Sequence, residues 1–323
     1  MKVLVIGAGA IGQVFARHFQ LGGADVSFLV RPKYADATRA GLVVYPLNRG
    51  ASERGTPTRL VCGVETDQDE ALAKGWDLVV LAISSVALRS GDWLERLGRD
   101  LGTARLLALQ AGPEDGELIH KHIDPSRVAW GMLAVISYQA PLTGESLPEE
   151  GVAYWFPMLS SLGFSGPQPV LDEVTTALSK GGMPVKQVAD VSVDVQFAGA
   201  ILEKVVTTLE CAGWSFAALR RDPELLDLAV AAMHEKWLLA QARTGVRAPL
   251  GMRMIRPFML RFVLWLAPRI LPFDLEAFFA YHYVKVGEQT LMLLDTQLRL
   301  YEQHNIPCPA SMDIARRLRA GRA

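Results

Sequence analysis

The sequence predicts an α/β protein in which a doubly wound parallel sheet is followed by an all-helical domain. Apolar runs alternate with amphipathic stretches over the first half of the chain, and LVVLAI at 78–83 is apolar throughout. A strand that is apolar at every position is buried on both faces, as in a parallel sheet covered by helices. Beyond about residue 191 the pattern is helical, so we expect domains at 1–180 and 181–323.

The elements of the first domain follow from these patterns. A helix is expected at 11–21, after the first strand, and another at 88–97. The turn-rich segment 138–169 is expected to add irregular strands at the edge of this domain. The runs typical of strands are 2–6, 25–30, 77–83, 106–110 and 128–136.

Composition excludes several functional classes. The 33 basic and 34 acidic side chains give a net charge of −1, so no overall field favours nucleic acid or an anionic membrane as a partner. The cysteines at 62, 211 and 308 lie far apart and lack the spacing of a metal site. We therefore expect neither a disulfide framework nor a bound metal. The pattern favours a reducing, cytoplasmic location.

The opening stretch MKVLVIGAGAIGQVFARHF places a GxGxxG motif between an apolar strand and an amphipathic helix. In that context Gly7 permits a tight turn, Gly9 lets backbone approach a pyrophosphate, and Gly12 lets the helix pack closely on the strand. The amides of Ala10, Ile11 and Gly12 then open the helix and face the phosphates. The motif predicts a Rossmann-type dinucleotide site; the alternative is a structural glycine turn.

The second strand ends in LVRPK rather than in the acidic residue that usually bonds the ribose of NAD. Arg31 stands there, and Lys33 follows two residues later. A guanidinium at this position suits a 2′-phosphate, so we expect NADP(H) as cofactor. The alternative is a solvated arginine that closes a strand.

These motifs resemble the ketopantoate reductase (2-dehydropantoate 2-reductase) family, together with ILEKVVTTLECAGWSFAAL at 201–219 and LDTQLRLYEQHNIPCPASMDIARRL at 294–318. The resemblance spans nearly the whole chain. It implies an NADPH-dependent oxidoreductase that transfers hydride to a ketone carbonyl in the cleft between a Rossmann-type domain and a helical substrate domain. It also implies that Lys204, in EKVV, is the catalytic lysine, because an ammonium beside a ketone oxygen stabilises the developing alkoxide and supplies its proton.

Other positions differ from the family pattern. Ser84 stands where the family has a lysine near the cofactor, and Ala111 replaces the asparagine of its NG pair. By their positions in the resemblance, both residues are expected to contact the cofactor. Thr208 replaces an asparagine downstream of the lysine, and the substrate-binding glutamate falls at Gln289. Fewer polar groups remain to orient a small anionic keto acid, so we expect a small-molecule carbonyl substrate other than ketopantoate and less polar.

The segment FFAYHYVKVGEQT at 278–290 offers replacements. On a helix, Tyr281, Lys285 and Glu288 share one face at i, i+4 and i+7, and His282 lies on a neighbouring stripe. Tyr281 or His282 would donate a proton, and Lys285 or Glu288 would orient the donor. The alternative is a structural Lys285–Glu288 pair beside a core tyrosine and histidine.

The apolar stretch at 252–273 is interrupted by arginines and prolines, which argues against a membrane span. Either it lines a hydrophobic substrate pocket or it forms a subunit interface, which would make the chain a homodimer. One functional alternative stays open for the whole chain. It would be an NADP-binding protein that has lost turnover and acts as a redox sensor or binding partner.

Overall fold

A computed structural model describes residues 1–48, 55–110, 114–132, 134–157, 160–285 and 287–322. Side-chain placement is described for most of these, and the exceptions that bear on the site are named below. The chain divides into two compact units, Met1–Val191 and Ser192–Ala323.

The first unit is built on two sheets. Its strands are β1 (Lys2–Ile6), β2 (Asp25–Leu29), β3 (Leu42–Pro46), β4 (Thr58–Leu60), β5 (Gly63–Glu65), β6 (Leu78–Leu81), β7 (Arg105–Ala108), β8 (Val128–Gly131), β9 (Ile136–Ala140), β10 (Gly151–Trp155), β11 (Leu162–Ser165) and β12 (Val185–Gln187). Its helices are α1 (Ala10–Leu21), α2 (Ala35–Arg39), α3 (Gln68–Ala73), α4 (Ser85–Leu88), α5 (Trp93–Asp100), α6 (Asp115–His120) and α7 (Gln168–Lys180).

The larger sheet has the order β12-β11-β8-β7-β6-β1-β2-β5 among the described residues, and β5, β2, β1, β6, β7 and β8 run parallel. From β1 the chain adds β2 and β5 on one side and then returns to add β6, β7 and β8 on the other. The strand order therefore reverses between β1 and β6. Ligands of doubly wound sheets bind outside the carboxyl ends of the strands at such a point.

The buried residues explain the parallel sheet. All four residues of β6 are buried, as are Val3 to Ile6 of β1, so helices or loops cover both faces. Phe15 and Phe19 of α1 contribute to the core on one face, and Leu94 and Leu97 of α5 contribute on the other. The predicted fold class, a doubly wound sheet followed by a helical domain, is confirmed.

Two predicted elements differ in the structure. The run at 128–136 is not one strand: β8 ends at Gly131 in the larger sheet, and β9 begins at Ile136 in a second sheet of order β4-β3-β10-β9. The helix predicted at 88–97 is also interrupted, because Gly91 adopts a φ of +69° and α5 begins only at Trp93. Apolar content alone did not reveal these turns.

The second unit is helical in the part of it that the structure describes. Its helices are α8 (Val191–Cys211, which begins at the last residue of the first unit), α9 (Phe216–Arg221), α10 (Pro223–Thr244), α11 (Leu250–Arg253), α12 (Pro257–Ile270), α13 (Leu275–Lys285), α14 (Gly287–Gln303) and α15 (Pro309–Arg322). Glu235 of α10 is buried, and its carboxylate accepts the amide N–H groups of Ala310 and Ser311 at 2.8 Å each. A side chain from the middle of the unit thus caps the first turn of α15.

Candidate active site

The GxGxxG turn lies at the carboxyl end of β1, at the point where the strand order reverses. Gly7 has a φ of +101°, and a Cβ there would lie 2.8 Å from the carbonyl oxygen of Ala82. A Cβ on Gly12 would lie 2.0 Å from the carbonyl oxygen of Gly7. Both glycines are therefore required by the packing of α1 against β1 and the end of β6.

Gly9 is different, because a Cβ there would meet nothing within 4 Å. It occupies the N-cap position of α1, and no side chain caps this helix end. The first backbone N–H groups of a helix have no intrahelical acceptor, so those of Ala10, Ile11 and Gly12 are directed out of the helix end. The open space at Gly9 and the uncapped amides fit a dinucleotide pyrophosphate.

Arg31 lies just beyond β2, at the same edge of the sheet, and is exposed. Two cations lie against the ring of Tyr34. The guanidinium of Arg31 lies 5.2 Å from the ring centre, and the ammonium of Lys33 lies 4.9 Å from it. The nearest following acid, Asp36, forms an ion pair with Arg39 at 3.1 Å. The end of β2 thus presents cations, with its first carboxylate already paired.

Ser84 caps α4 after β6, where its hydroxyl accepts the amide N–H of Ala87 at 3.2 Å. The next residue, Ser85, is buried and donates to the carboxylate of Asp115 at 2.5 Å, and Arg89 also binds that carboxylate. Ser84 is exposed at the carboxyl end of β6, and Ala111 lies outside the described residues. The cofactor roles predicted for these two residues stay predictions.

Lys204 lies within α8 and has no solvent exposure. Its ammonium donates to a carboxylate oxygen of Glu203 at 2.7 Å and to the side-chain oxygen of Gln297, on α14, at 2.8 Å. The amide of Gln297 donates in turn to both oxygens of Glu203, at 2.8 and 2.7 Å. Lys236 of α10 binds the second oxygen of Glu203. We call these four residues the ionic cluster.

The ionic cluster carries one more positive charge than negative charge, because Lys204 and Lys236 share the single carboxylate of Glu203. Burial raises the pKa of that carboxyl, but the two ammonium groups lower it by more than burial raises it, and the resulting pKa is about 2. Burial lowers the pKa of Lys236, and the charge of Glu203 only partly opposes this. An anionic or electron-rich oxygen would complete the charge balance here.

Two other side chains help to define this region. Burial and the negative charge of Glu203 raise the pKa of Tyr283 to about 12, so its hydroxyl keeps its proton at neutral pH. Its ring stacks on Trp214 at 6.4 Å. Thr208 is fully buried and donates its hydroxyl to the carbonyl oxygen of Lys204 at 2.7 Å. That proton is used within α8 and is not directed at a ligand.

The predicted face at 281–288 is only partly described. Tyr281 lies on α13 and is exposed, whereas the side chains of His282, Lys285, Glu288 and Gln289 lie outside the described residues. Lys285 ends α13 and Glu288 belongs to α14. The catalytic roles predicted for Tyr281, His282, Lys285 and Glu288 therefore stay predictions.

Sequence reasoning missed three members of the ionic cluster. Glu203 directly precedes Lys204 in the motif EKVV, and Gln297 lies in the stretch DTQL that carried part of the resemblance. Glu203 could have been chosen as the partner of a buried lysine, since a buried charge requires an opposite charge, and Gln297 as a neutral acceptor of its hydrogen bonds. Lys236, in the run HEKW, gave no signal of this kind. In the ranges that the structure describes, no three His, Cys, Asp or Glu side chains come together as metal ligands would.

The comparisons with known proteins bear on this geometry. Residues 3–141 match the family model described as ketopantoate reductase PanE/ApbA. The match lies within the first compact unit. The resemblance inferred from the glycine motif is confirmed over that range, which contains both the glycine turn and Arg31. No curated protein sequence matches the chain.

Solved structures extend the likeness of fold to nearly the whole chain. A PanE/ApbA family ketopantoate reductase from Ralstonia eutropha JMP134 has 18% identity and a TM-score of 0.73, covering 99% of this chain and 98% of that one. A 2-dehydropantoate 2-reductase from Geobacter metallireducens GS-15 has 17% identity and a TM-score of 0.70, covering 99% of each chain. The chain thus has the fold of ketopantoate reductase-like oxidoreductases.

One neighbour has a different activity. The ternary structure of D-mandelate dehydrogenase with NADH and anilino(oxo)acetate has 12% identity and a TM-score of 0.72, covering 99% of this chain and 98% of that one. The same fold is therefore found with NADH and with a dehydrogenase of a different hydroxy acid. Neither the cofactor nor the substrate follows from the fold alone.

Proposed function

We propose that the protein is an NADPH-dependent oxidoreductase that reduces a ketone carbonyl to an alcohol. The observation that carries this proposal is Lys204: an ammonium without solvent exposure, held by Glu203 and Gln297 in a cluster with one excess positive charge. Glu203 is the partner of Lys204 and of Lys236 at once, so the cluster as a whole stays positive. This net positive charge would stabilise the negative charge that develops on a carbonyl oxygen during reduction.

The glycine turn and Arg31 support the cofactor assignment. The uncapped amides of α1 and the open space at Gly9 suit a pyrophosphate, and the cations beyond β2 suit a 2′-phosphate better than a free ribose. When bound, the reduced dinucleotide supplies the hydride that adds to the carbonyl carbon.

The residues of the ionic cluster have separable roles in this reaction. As the carbon–oxygen π pair moves to oxygen, Lys204 stabilises the negative charge and transfers one proton to give the alcohol. Glu203 and Gln297 orient the ammonium, and Lys236 keeps Glu203 ionised and the cluster positive. After turnover Lys204 takes up a proton from solvent.

The substrate is proposed to be less polar than ketopantoate. The hydroxyl of Thr208 is used by the backbone of its own helix, so it does not replace the amide that the family has at this position. Fewer polar groups directed at a substrate favour a ketone or keto acid with a larger apolar part.

The test is NADPH oxidation over a panel of aliphatic and aromatic ketones and 2-keto acids, with NADP⁺ and alcohols in the reverse direction. We expect Lys204→Met to reduce turnover at least a hundredfold while the dissociation constant for NADPH changes less than threefold. Because Lys236 still neutralises Glu203, this variant should fold. Lys121→Met removes an exposed lysine and serves as control.

The possible results separate the two hypotheses for the chain. Turnover that depends on Lys204 supports the reductase. NADPH binding with no turnover on the whole panel would refute it and favour the sensor. Unchanged turnover in Lys204→Met would refute the role of the lysine.

A further inference from the structure

Helix α12 is apolar on two faces, and the residues that the structure describes cover only one of them. Leu260 and Leu264, one turn apart, are buried where α12 packs on α9 and α10. On the other side, Phe258 and Phe262 are 71% and 57% exposed, and Trp265 lies on the same stripe at i+7. A helix that is buried in a protein core has both such faces covered, whereas the described residues of this chain leave one apolar face of α12 uncovered.

A second stripe widens this surface. The exposed residues Met259, Val263 and Ile270 lie beside the aromatic stripe. The preceding helix α11 adds two more exposed apolar residues, Leu250 at its start and Met254 directly after its end. Single exposed apolar residues are ordinary, but a contiguous set of this size marks a contact site. We call these five residues, together with Phe258, Phe262 and Trp265, the α12 surface.

The charged residues that accompany the α12 surface are arginines. Residues 236–273 contain no aspartate or glutamate, whereas 245–273 contain the arginines 247, 253, 256, 261 and 269. The guanidinium of Arg269 lies 4.6 Å from the ring centre of Trp265, and Arg261 is exposed on the same helix. The net charge of −1 for the whole chain therefore hides a strongly basic apolar segment.

We propose that the α12 surface binds the interface of an anionic lipid bilayer. Phenylalanine, tryptophan and leucine side chains enter the boundary between headgroups and acyl chains, and arginines pair with lipid phosphates. An arginine stacked on tryptophan keeps its charge beside an aromatic ring at that depth. Both components of the surface, apolar and basic, match this partner.

The geometry favours binding along the bilayer rather than across it. Within the described residues no helix is long and apolar enough to cross a membrane. The 14 residues of α12 span about 21 Å, less than the roughly 30 Å of a hydrocarbon core. One side of α12 is also held by the protein, so only the exposed side would enter the interface.

A second copy of the chain suits this surface less well. A two-fold contact places the same patch on both subunits, so the arginines of one copy would face those of the other. The segment supplies no carboxylate to separate them, and facing like charges oppose association. A bilayer rich in phosphate headgroups has the opposite charge.

The experiment is co-sedimentation of the whole protein with phosphatidylcholine vesicles and with vesicles containing one quarter phosphatidylglycerol. We expect at least tenfold stronger partitioning to the anionic vesicles and a marked loss when salt is raised from 0.1 to 0.5 M. A blue shift of tryptophan fluorescence on binding should disappear in Trp265→Phe.

Two double variants test the two components separately. Phe258→Ser with Phe262→Ser, and Arg256→Gln with Arg261→Gln, should each reduce binding at least tenfold without changing the melting midpoint. Leu21→Ser, at a residue 54% exposed on α1, is the control and should bind as the wild type does. Equal binding to both vesicle types would overturn the proposal. The proposal would also be overturned if the wild-type protein bound no vesicles and instead formed a dimer that the Phe258→Ser, Phe262→Ser variant cannot form.

Discussion

Gln297 and Glu203, 94 residues apart in sequence, are joined by two hydrogen bonds from one amide nitrogen to both carboxylate oxygens. The oxygen of the same amide accepts a hydrogen bond from the ammonium of Lys204. The glutamine therefore fixes the anion and the cation relative to each other. It does so without charge of its own, so the excess positive charge of the cluster is kept.

The first prediction concerns the charge balance of this cluster. Glu203→Gln leaves Lys204 and Lys236 without an anion, so the free energy of unfolding should fall by about 3 kcal/mol. In the double variant with Lys236→Met, one of the two cations is also gone. We expect a combined loss at least about 1 kcal/mol smaller than the sum of the single losses, measured by urea unfolding. Additive losses would contradict direct coupling of the three charges.

The second prediction separates the glycines of the turn. In Gly12→Ala the new methyl would lie 2.0 Å from a backbone oxygen, so the first unit should lose at least about 2 kcal/mol of stability. Gly9→Ala meets no protein atom and should change stability by less than about 1 kcal/mol. The same variant should weaken NADPH binding at least tenfold, by calorimetry. Unchanged affinity in Gly9→Ala would place the pyrophosphate elsewhere.

The third prediction concerns the choice of cofactor. Arg31→Gln removes a charged donor to the 2′-phosphate, so the dissociation constant for NADPH should rise by about 10- to 100-fold. The constant for NADH should change less than twofold. Arg39→Gln, which removes an exposed arginine paired with Asp36, is the matched control. If NADH binds more tightly than NADPH to the wild type, the assignment of Arg31 is wrong.

The fourth prediction is a pH dependence of stability. Burial lowers the pKa of His18 to about 4, and its ring hydrogen-bonds the carbonyl of Gly181 at 2.8 Å. In the unfolded chain His18 binds a proton near pH 6.5, whereas in the folded chain it does so only near pH 4. Stability should therefore fall by about 3 kcal/mol as pH decreases from 6.5 to 4.

A variant assigns this pH dependence to His18. His18→Asn keeps an N–H donor for Gly181 and should remove most of the slope between pH 6.5 and 4, measured by chemical unfolding at each pH. His304→Asn, at an exposed histidine, should retain it. A slope that survives in His18→Asn belongs to other groups.

The fold was predictable from local patterns where those patterns are strong. The strand 2–6 and the helix after it appear as expected, because an unbroken apolar run and a glycine turn leave few alternatives. The strands β4, β5 and β12 were not predicted, since each has three residues and carries polar ones. The strand β3 was also missed, although its five residues LVVYP form an apolar run. The split of 128–136 depends on pairing with β10 and β11, which lie far along the chain.

The candidate site shows the same division. Gly7, Gly12 and Arg31 were recognisable because the dinucleotide motif is local in sequence. The ionic cluster joins α8, α10 and α14, and only the folded unit shows that Lys236 and Gln297 reach Glu203. Long-range charge pairing leaves no periodic signal in sequence, so one residue of the cluster was found and its partners were not.

The bond between Glu235 and the start of α15 has a practical consequence. Any shortened form of the chain that lacks α15 would leave a buried carboxylate with neither of its two amide donors, and would also uncover Ala232 and Leu294. Such a cut would damage the whole helical unit instead of trimming a dispensable tail. Loss of activity after trimming at this end would therefore say nothing about catalysis.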